Sequence, residues 1–140
     1  MLAAVLVSCQ PALDPAPAGL SSGAPSPCRV ARVIDGDTVE MACAGSGQFR
    51  ARLMGYDTPE TFEPGCAAEA RTGRAATARL SALVADAQAV EARVSGTDRY
   101  GRHLVHLSLD GRDVGRVLIA EGLAVPYGGG RRIDWCARLG

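Results

Sequence analysis

The sequence contains no lysine, so arginine alone supplies the positive charge of its side chains. Its 15 arginines are balanced by 15 aspartate and glutamate residues, and the formal net charge is zero. This balance excludes a polybasic protein that holds nucleic acid through its overall charge. Each arginine is a permanently charged, planar fork of hydrogen-bond donors. A site for anions must therefore be built locally, from a few arginines that the fold brings together.

Long hydrophobic runs and internal repeats are also missing. No stretch of about 18 apolar residues occurs, which excludes a helix that spans a membrane. The 140 residues are 47% hydrophobic and 21% charged, enough for one globular domain with a core and too few for two. We therefore expect a single folded unit.

The first 27 residues differ in composition from the rest. Residues 1–7 are apolar, and Leu6-Val7-Ser8-Cys9 resembles the lipobox of bacterial lipoproteins, in which the cysteine is acylated, although the usual basic residues before it are absent. Residues 10–27 are rich in proline, alanine, serine and glycine, which predicts a disordered tether.

The leader and the five cysteines predict an exported protein. It would be a bacterial lipoprotein anchored to the membrane through Cys9, or otherwise a periplasmic or secreted protein. An ordinary cleaved signal peptide and a disordered cytosolic leader are the alternatives for the same segment.

From residue 28 onward the pattern becomes that of a folded domain. Alternating apolar and polar residues predict strands at 29–34, 38–43, 48–54, 89–94 and 104–109. The Asp35-Gly36 pair favours a tight hairpin turn between the first two strands. Apolar residues at helical spacing predict a long helix over 67–87 and a short one over 114–121.

The predicted order is βββαββα, which is an α+β fold. Such an order is typical of a five-stranded OB-type barrel with one long helix and one or two short helices packed on it. A last helix within residues 131–139 has room for no more than about two turns. We therefore expect residues 28–140 to form one OB-fold domain.

Four acidic residues bracket the predicted three-stranded meander. Asp35 and Asp37 lie at the first turn, and Asp57 and Glu60 follow the third strand. In a closed meander these ends can meet, and carboxylates that converge without histidine or cysteine prefer a hard cation such as Ca²⁺ or Mg²⁺. Taken singly, each of these residues has an ordinary explanation in turn chemistry.

Two arginines accompany these acids. Arg52 lies on the third strand, five residues before Asp57, and Arg102 begins the last strand. The guanidinium fork suits a phosphate diester, whose transition state gains negative charge. An exposed position in solvent is the alternative for each.

Three separated motifs resemble a known family in order and spacing. They are Ile34-Asp35-Gly36-Asp37-Thr38, then Arg52 with Asp57-Thr58-Pro59-Glu60, then Asp98-Arg99-Tyr100-Gly101-Arg102. Together they resemble the thermonuclease family, the calcium-dependent staphylococcal-nuclease-like enzymes, over about residues 29–127. The OB barrel that the resemblance implies agrees with the fold predicted from the pattern.

The resemblance implies a calcium site and a general base. Asp37 and Asp57 would bind the ion through their carboxylates, and Thr58 through its backbone carbonyl. Glu60 would lie near the ion through water, and it is the candidate general base that activates a water for attack on phosphorus.

The resemblance also implies how the substrate is held. Arg52 and Arg102 would grip the phosphate and stabilise its added charge. Tyr100 would stack on a base or bond a terminal phosphate, and Tyr127 lies near the place of a second nucleotide-binding tyrosine.

The expected function is that of an exported, calcium-dependent nuclease. It would hydrolyse phosphodiester bonds in DNA, RNA or both as a monomer, with membrane contact only through a lipid on Cys9. The alternative is a non-catalytic, nuclease-like module that binds nucleic acid or a protein. A pure binding module has no physical need for the acids and arginines together, so the set favours the enzyme.

The C-terminal segment departs from the family pattern because its final helix is short. The run Gly128-Gly129-Gly130-Arg131-Arg132 would supply a phosphate contact or form a flexible solvated loop, and the loop is the favoured interpretation. Trp135 is expected in the core or as a lid residue rather than as a platform for bases.

Four cysteines besides Cys9 remain, and none has the C-x-x-C spacing that favours zinc. Cys28 and Cys43 lie on facing strands of the first hairpin, nearly opposite each other, with an offset that a bulge would absorb. This predicts a Cys28–Cys43 disulfide. The remaining pair, Cys66–Cys136, would pin the tail to the barrel. Four reduced, buried thiols are the alternative.

Overall fold

The computed structural model describes residues 27–140. The predicted signal segment, Cys9 and nearly all of the predicted tether lie outside the described residues. Five long strands form the main sheet in the spatial order β1-β2-β3-β6-β5; in chain order they are β1 (Cys28–Asp35), β2 (Thr38–Cys43), β3 (Gly47–Leu53), β5 (Val90–Thr97) and β6 (His103–Leu109). The β3–β6 pairing is parallel, and the others along this path are antiparallel.

Shorter elements complete the fold. A two-stranded sheet joins β4 (Gly55–Asp57) to β8 (Val125–Tyr127), and β7 (Arg112–Asp113) pairs with β6. The helices are α1 (Ala67–Asp86), α2 (Val114–Ala120) and α3 (Trp135–Leu139). The β4–β8 pairing places residues 55–57 beside residues 125–127, which lead into the glycine-rich loop at 128–130.

The main sheet is open, which corrects the predicted barrel. The end strands β1 and β5 are not paired with each other in the described part of the chain. Both carry register irregularities, at 30–32 and 33–35 in β1 and at 94–96 in β5. These irregularities bend the two strands, but they lie in the pairings with β2 and β6, and the backbones of the two edge strands form no ladder with each other in residues 27–140. The α+β class and the five long strands are confirmed, in an OB-like arrangement.

The predicted helices are confirmed with small changes at their ends. The long helix ends one residue earlier than predicted, at Asp86, and the short one ends at Ala120. The tail helix begins at Trp135 rather than 131, because the Asp134 carboxylate caps it by accepting from the Ala137 N–H. The short strands β4, β7 and β8 were not predicted, because two or three residues show no periodicity.

The core lies between the main sheet and helix α1. Val39 and Met41 of β2 are fully buried, as the alternation of that strand predicts. On α1, the buried residues Gly73, Ala76, Leu80 and Leu83 recur at helical spacing, so one face of the helix covers the sheet. No helix within residues 27–140 is long and apolar enough to cross a membrane.

Two glycines let loops approach the core closely. A Cβ on Gly36 would lie 2.8 Å from the side chain of Thr58 and 2.9 Å from the Ala76 Cβ. A Cβ on Gly73, in the middle of α1, would lie 2.8 Å from the Pro59 carbonyl oxygen. The turn at residues 35–37 therefore packs closely on Thr58 because Gly36 has no side chain. The loop after residue 57 packs closely on α1 because Gly73 has none.

Both predicted disulfides are present. Cys28 and Cys43 are bonded, and they are register partners at the open end of the first hairpin. Irregularities in β1 absorb the offset between the two positions. Cys66 is bonded to Cys136, 70 residues later, so the C-terminal tail is tied to the start of α1. The alternative of four reduced thiols is wrong for this structure.

Replacing Gly73 with alanine tests the close approach of the loop to α1. In an exposed helix interior the change favours the helix by about 1 kcal/mol. Here the new methyl group would meet the Pro59 carbonyl and the Thr61 side chain at 2.8 Å. We expect a net loss of about 1–3 kcal/mol in the free energy of unfolding, measured by urea denaturation. Ser81→Ala, at an exposed position of the same helix, is the control and should be nearly neutral. A Gly73→Ala protein more stable than the parent would contradict the tight packing.

Candidate active site

A cavity of about 730 Å³ opens beside the ends of β1, β3 and β6. Seven of the eight residues predicted for the site line it: Asp37, Arg52, Thr58, Glu60, Tyr100, Arg102 and Tyr127. The eighth, Asp57, is fully buried next to them. The fold thus brings together residues from all three sequence motifs.

The turn after β1 presents the first pair of carboxylates. Asp35 Oδ1 accepts the Asp37 N–H at 3.0 Å, which fixes the turn, and Asp37 Oδ2 accepts the Thr58 N–H at 3.2 Å. Burial, followed by the nearby charge of Asp37, raises the pKa of Asp35 to about 6. The turn therefore concentrates negative charge at the wall of the cavity.

Arg52 links the two predicted metal-binding carboxylates. Its Nη1 lies 3.2 Å from Asp37 Oδ2, and its Nη2 lies 3.3 Å from Asp57 Oδ1. The same guanidinium donates to the carbonyls of Leu53 and Tyr56 at 2.7 and 3.2 Å. Only 12% of the side chain is exposed, so Arg52 is held rigidly by β3 and the segment that follows it.

Asp57 lies at the end of β4 with no solvent exposure. Besides Arg52, it has two partners from the C-terminal segment. Arg132 Nε lies 2.7 Å from Oδ1, and the indole Nε1–H of Trp135 donates to Oδ2 at 3.0 Å. A buried carboxylate needs such partners because desolvation of an unpaired charge is costly.

Glu60 stands at the rim of the cavity, with 38% of its side chain exposed. Its Oε1 accepts the N–H groups of Thr61 and Phe62 at 2.9 and 3.1 Å. Its own N–H donates to Glu69 Oε1 at 3.2 Å. The carboxylate is therefore fixed by its own loop, and that loop is fixed to the first turn of α1.

Arg102 and Tyr100 form the opposite wall, on the loop before β6. Asp98 Oδ2 accepts from Arg102 Nε at 2.8 Å, which orients the guanidinium. Tyr100 is 68% exposed, and its ring centre lies 4.8 Å from the Arg99 guanidinium and 5.5 Å from that of Arg102. An exposed ring close to two cations is suited to a base and its phosphate.

Tyr127 ends β8 on the third side of the cavity. Its hydroxyl donates to the Gly130 carbonyl at 2.7 Å, and the Arg52 guanidinium lies 6.0 Å from its ring centre. The tyrosine therefore braces the glycine-rich loop as well as lining the cavity.

The donor atoms fit a hard divalent cation. Asp37, Asp57 and the Thr58 carbonyl offer oxygen only, which matches the ligands that Ca²⁺ prefers. The Arg132 guanidinium already bonds Asp57 Oδ1 and the Thr58 carbonyl, at 2.7 and 3.1 Å, so these oxygens converge on a position that attracts a positive group. Within the described residues, Cys66 with Glu69 and Cys136 is the one group of at least three histidine, cysteine or acidic side chains close enough to share an ion, but both sulfurs are in a disulfide.

Sequence reasoning missed the roles of Arg132 and Trp135. The favoured interpretation of residues 128–132 as a solvated loop is wrong for Arg132, whose guanidinium pairs with Asp57 because that buried charge needs compensation. Trp135 is buried, as expected for a core residue, but its contact with the site was not foreseen. The available signal was the Cys66–Cys136 pair, since it places the tail beside the loop that carries Glu60.

Much of the chain that carries these residues matches a known protein family. Residues 50–132 match the model of a family described as staphylococcal nuclease homologue. The match covers the second and third motifs and ends at Arg132.

Curated relatives are similar over much of the same region. The chain is 35% identical over 107 residues to a thermonuclease of Staphylococcus hyicus, covering 76% of this chain and 63% of that protein. It is 35% identical over 95 residues to the endonuclease YncB of Bacillus subtilis, with coverage of 66% and 44%. It is also 37% identical over 100 residues to the succinoglycan biosynthesis protein ExoI of Rhizobium meliloti, with coverage of 68% and 49%. The chain thus spans less than two thirds of the length of each of these relatives.

Replacing Trp135 with phenylalanine tests its bond to the buried carboxylate. The change keeps an aromatic ring but leaves Asp57 Oδ2 without the indole donor. We expect a loss of about 1.5–3 kcal/mol in the free energy of unfolding, since the acceptor is charged and buried, measured by circular dichroism in urea. Tyr127→Phe, which removes an exposed hydrogen bond, is the control and should cost less. Equal, small effects for both variants would show that the indole contact contributes little.

Proposed function

Because the chain belongs to the staphylococcal nuclease homologue family, we propose that it is a metal-dependent nuclease that hydrolyses phosphodiester bonds of DNA, RNA or both. The observation that carries the proposal is that Asp37, Arg52, Glu60 and Arg102 line one cavity, and that Arg52 also bridges Asp37 to Asp57, which is buried beside it. This set combines a seat for a cation, donors for a phosphate and a carboxylate that can accept a proton.

Calcium is the proposed cation. Asp37 and Asp57 would hold it through carboxylate oxygens and Thr58 through its carbonyl. When bound, the ion supplies positive charge that polarises the phosphate and stabilises the charge added in the transition state.

Arg102 and Arg52 would hold the phosphate in different ways. Arg102, oriented by Asp98, offers its fork at the open wall of the cavity. Arg52, fixed between the two carboxylates, supplies positive charge at the floor. Preorganised donors of this kind favour the transition state because they do not have to reorganise during the reaction. Tyr100 and Tyr127 would contact the nucleotide on either side.

Glu60 is the proposed general base. Its Oε1 is held by two backbone N–H groups, which makes Oε2 the proton acceptor. A water that attacks phosphorus would transfer its proton to Oε2 while the opposite phosphorus–oxygen ester bond breaks, and the leaving ester oxygen would take up a proton from solvent. The exposed position of the side chain gives water access to it.

A non-catalytic binding role is the second candidate, and the name of the relative ExoI, which describes polysaccharide biosynthesis rather than a nuclease, favours it. The complete set of acids and arginines in this cavity argues for the enzyme instead. Degradation of plasmid DNA and of RNA by the purified protein distinguishes the two candidates, because a binding module would retain nucleic acid without cleaving it.

We further propose that the protein is exported and works as a monomer. The two disulfides are of the kind that persists in oxidising compartments. Anchoring through a lipid on Cys9 belongs to the same proposal, and mass spectrometry of the mature N-terminus tests it.

Activity should require Ca²⁺, and Mg²⁺ should substitute poorly. Two carboxylates, one carbonyl and waters form a loose oxygen shell, which a larger ion tolerates better than one that demands a tight octahedron. Plasmid cleavage would be measured in each cation, with a chelator specific for calcium in the Mg²⁺ reactions. Full turnover in Mg²⁺ with calcium removed would contradict the proposal.

Glu60→Gln should reduce turnover by about 100-fold or more, while nucleotide and Ca²⁺ affinities change by less than about tenfold. The amide keeps the shape of the side chain but accepts no proton. Glu63→Gln, an exposed glutamate on the same loop, is the matched control and should cleave at the parental rate. Similar rates for the two variants would show that Glu60 is not the base.

A further inference from the structure

Arg132 contacts the same groups that are proposed to bind the divalent cation. Its Nε lies 2.7 Å from Asp57 Oδ1, its Nη2 donates to the Thr58 carbonyl at 3.1 Å, and its Nη1 lies 3.9 Å from Glu60 Oε2. One planar guanidinium therefore spans the carboxylate, the carbonyl and the general base.

A cation and this guanidinium cannot use these oxygens in the same way at once. Calcium lies about 2.3–2.6 Å from its oxygen ligands, so an ion bonded to both Asp57 Oδ1 and the Thr58 carbonyl would occupy the place of the guanidinium nitrogens. Asp57 Oδ1 is already contacted by Arg52 as well as by Arg132, and Oδ2 accepts from the indole of Trp135. Binding of the ion at these atoms requires Arg132 to leave them.

The burial of the groups points to the same conclusion. Asp57 is fully buried and does not line the cavity, whereas Thr58 and Arg132 do. The Arg132 side chain is 44% exposed, so it covers the carboxylate from the solvent side and can swing outward without disturbing the core.

The chain around Arg132 keeps it close after it leaves. On one side stand Gly128, Gly129 and Gly130, the last two with φ of +107° and +84°, a conformation that glycine adopts without strain. On the other side Trp135 is buried and Cys136 is bonded to Cys66. Trp135 and the disulfide therefore keep Arg132 near Asp57 even when the guanidinium does not contact the carboxylate, and the local concentration of the guanidinium there is high.

Charge balance favours a guanidinium at this place. Asp37 and Asp57 share Arg52 as a partner, which leaves one negative charge uncompensated in a buried setting. Arg132 is reliably charged: burial by itself would lower its pKa, but the charge and hydrogen bond of Asp57 outweigh this and raise the pKa above its ordinary value.

We infer that Arg132 is a built-in competitor of the divalent cation, and that it lowers the apparent affinity of the site by occupying Asp57 Oδ1 and the Thr58 carbonyl when the ion is absent. This inference rests on the proposed metal site. Displacing the guanidinium costs the same free energy for every cation, so Arg132 weakens the binding of each of them by the same factor.

The test is calorimetric titration of Ca²⁺ into the metal-free protein, without substrate. If Arg132 occupies the oxygens for about nine-tenths of the time, its removal strengthens apparent binding by about tenfold. We expect this gain for Arg132→Gln. Arg131→Gln is the matched control, since Arg131 is the exposed neighbour and forms none of the ion pairs within residues 27–140; its affinity should equal that of the parent.

Thermal unfolding gives a second measurement on the same proteins. In chelator, Arg132→Gln should melt at a lower temperature than the parent, because Asp57 has lost a cationic partner. In equal Ca²⁺ its melting temperature should rise by more than that of the parent, because tighter binding stabilises the folded state further. Trp135, the single tryptophan of the chain, lies against Asp57, and its emission reports on whether the site is intact in each variant.

The outcomes separate this inference from the proposed function. Calcium binding by both proteins with equal affinity, or weaker binding by Arg132→Gln, would overturn the competition and leave the metal site standing. Absence of calcium binding in the parent and in the variant would overturn both. Tighter binding in Arg132→Gln with an unchanged Arg131→Gln supports the competition whether or not the protein cleaves nucleic acid.

Discussion

The buried charge of Asp57 is the constraint on which the arrangement of the site depends. A carboxylate without solvent exposure is tolerated only when charged and hydrogen-bonding groups replace the lost water. Here those groups come from β3 through Arg52 and from the C-terminal segment through Arg132 and Trp135. The sheet and the tail therefore meet on one side chain, and displacing either of them removes partners from the buried charge.

Covalent and steric features hold the partners of Asp57 in position. The Cys66–Cys136 disulfide fixes the tail beside α1, and pairing of β4 with β8 fixes the strand that leads into the glycine-rich loop. Gly73 lets the loop that carries Glu60 lie directly on the helix. A tail helix of five residues is thus sufficient, since a bond rather than a large apolar face secures it.

The proposed function requires a chain of zero net charge to bind a polyanion, and the same arrangement offers a way. Arg52, Arg102 and Arg132 line one cavity together with Asp37, so positive charge is concentrated there rather than spread over the surface for long-range attraction. A cation that took the proposed carboxylate ligands would release arginine donors for the substrate and would thereby couple metal binding to substrate binding.

The local sequence predicted the main strands and helices and several of the residues that line the cavity. The hydrophobic periodicity of residues 28–120 predicted the five long strands and two helices, because the residues of a buried face are apolar and recur with the period of the strand or helix. The motifs around Asp37, Asp57 and Arg102 predicted which residues meet in the cavity. The open edge of the sheet and the position of Arg132 were decided only by the tertiary structure. Arg132 and Thr58 are 74 residues apart and Trp135 and Asp57 are 78 apart. A hydrogen bond between distant segments needs only a donor and an acceptor that the fold brings close, and no spacing in the sequence records such a pair.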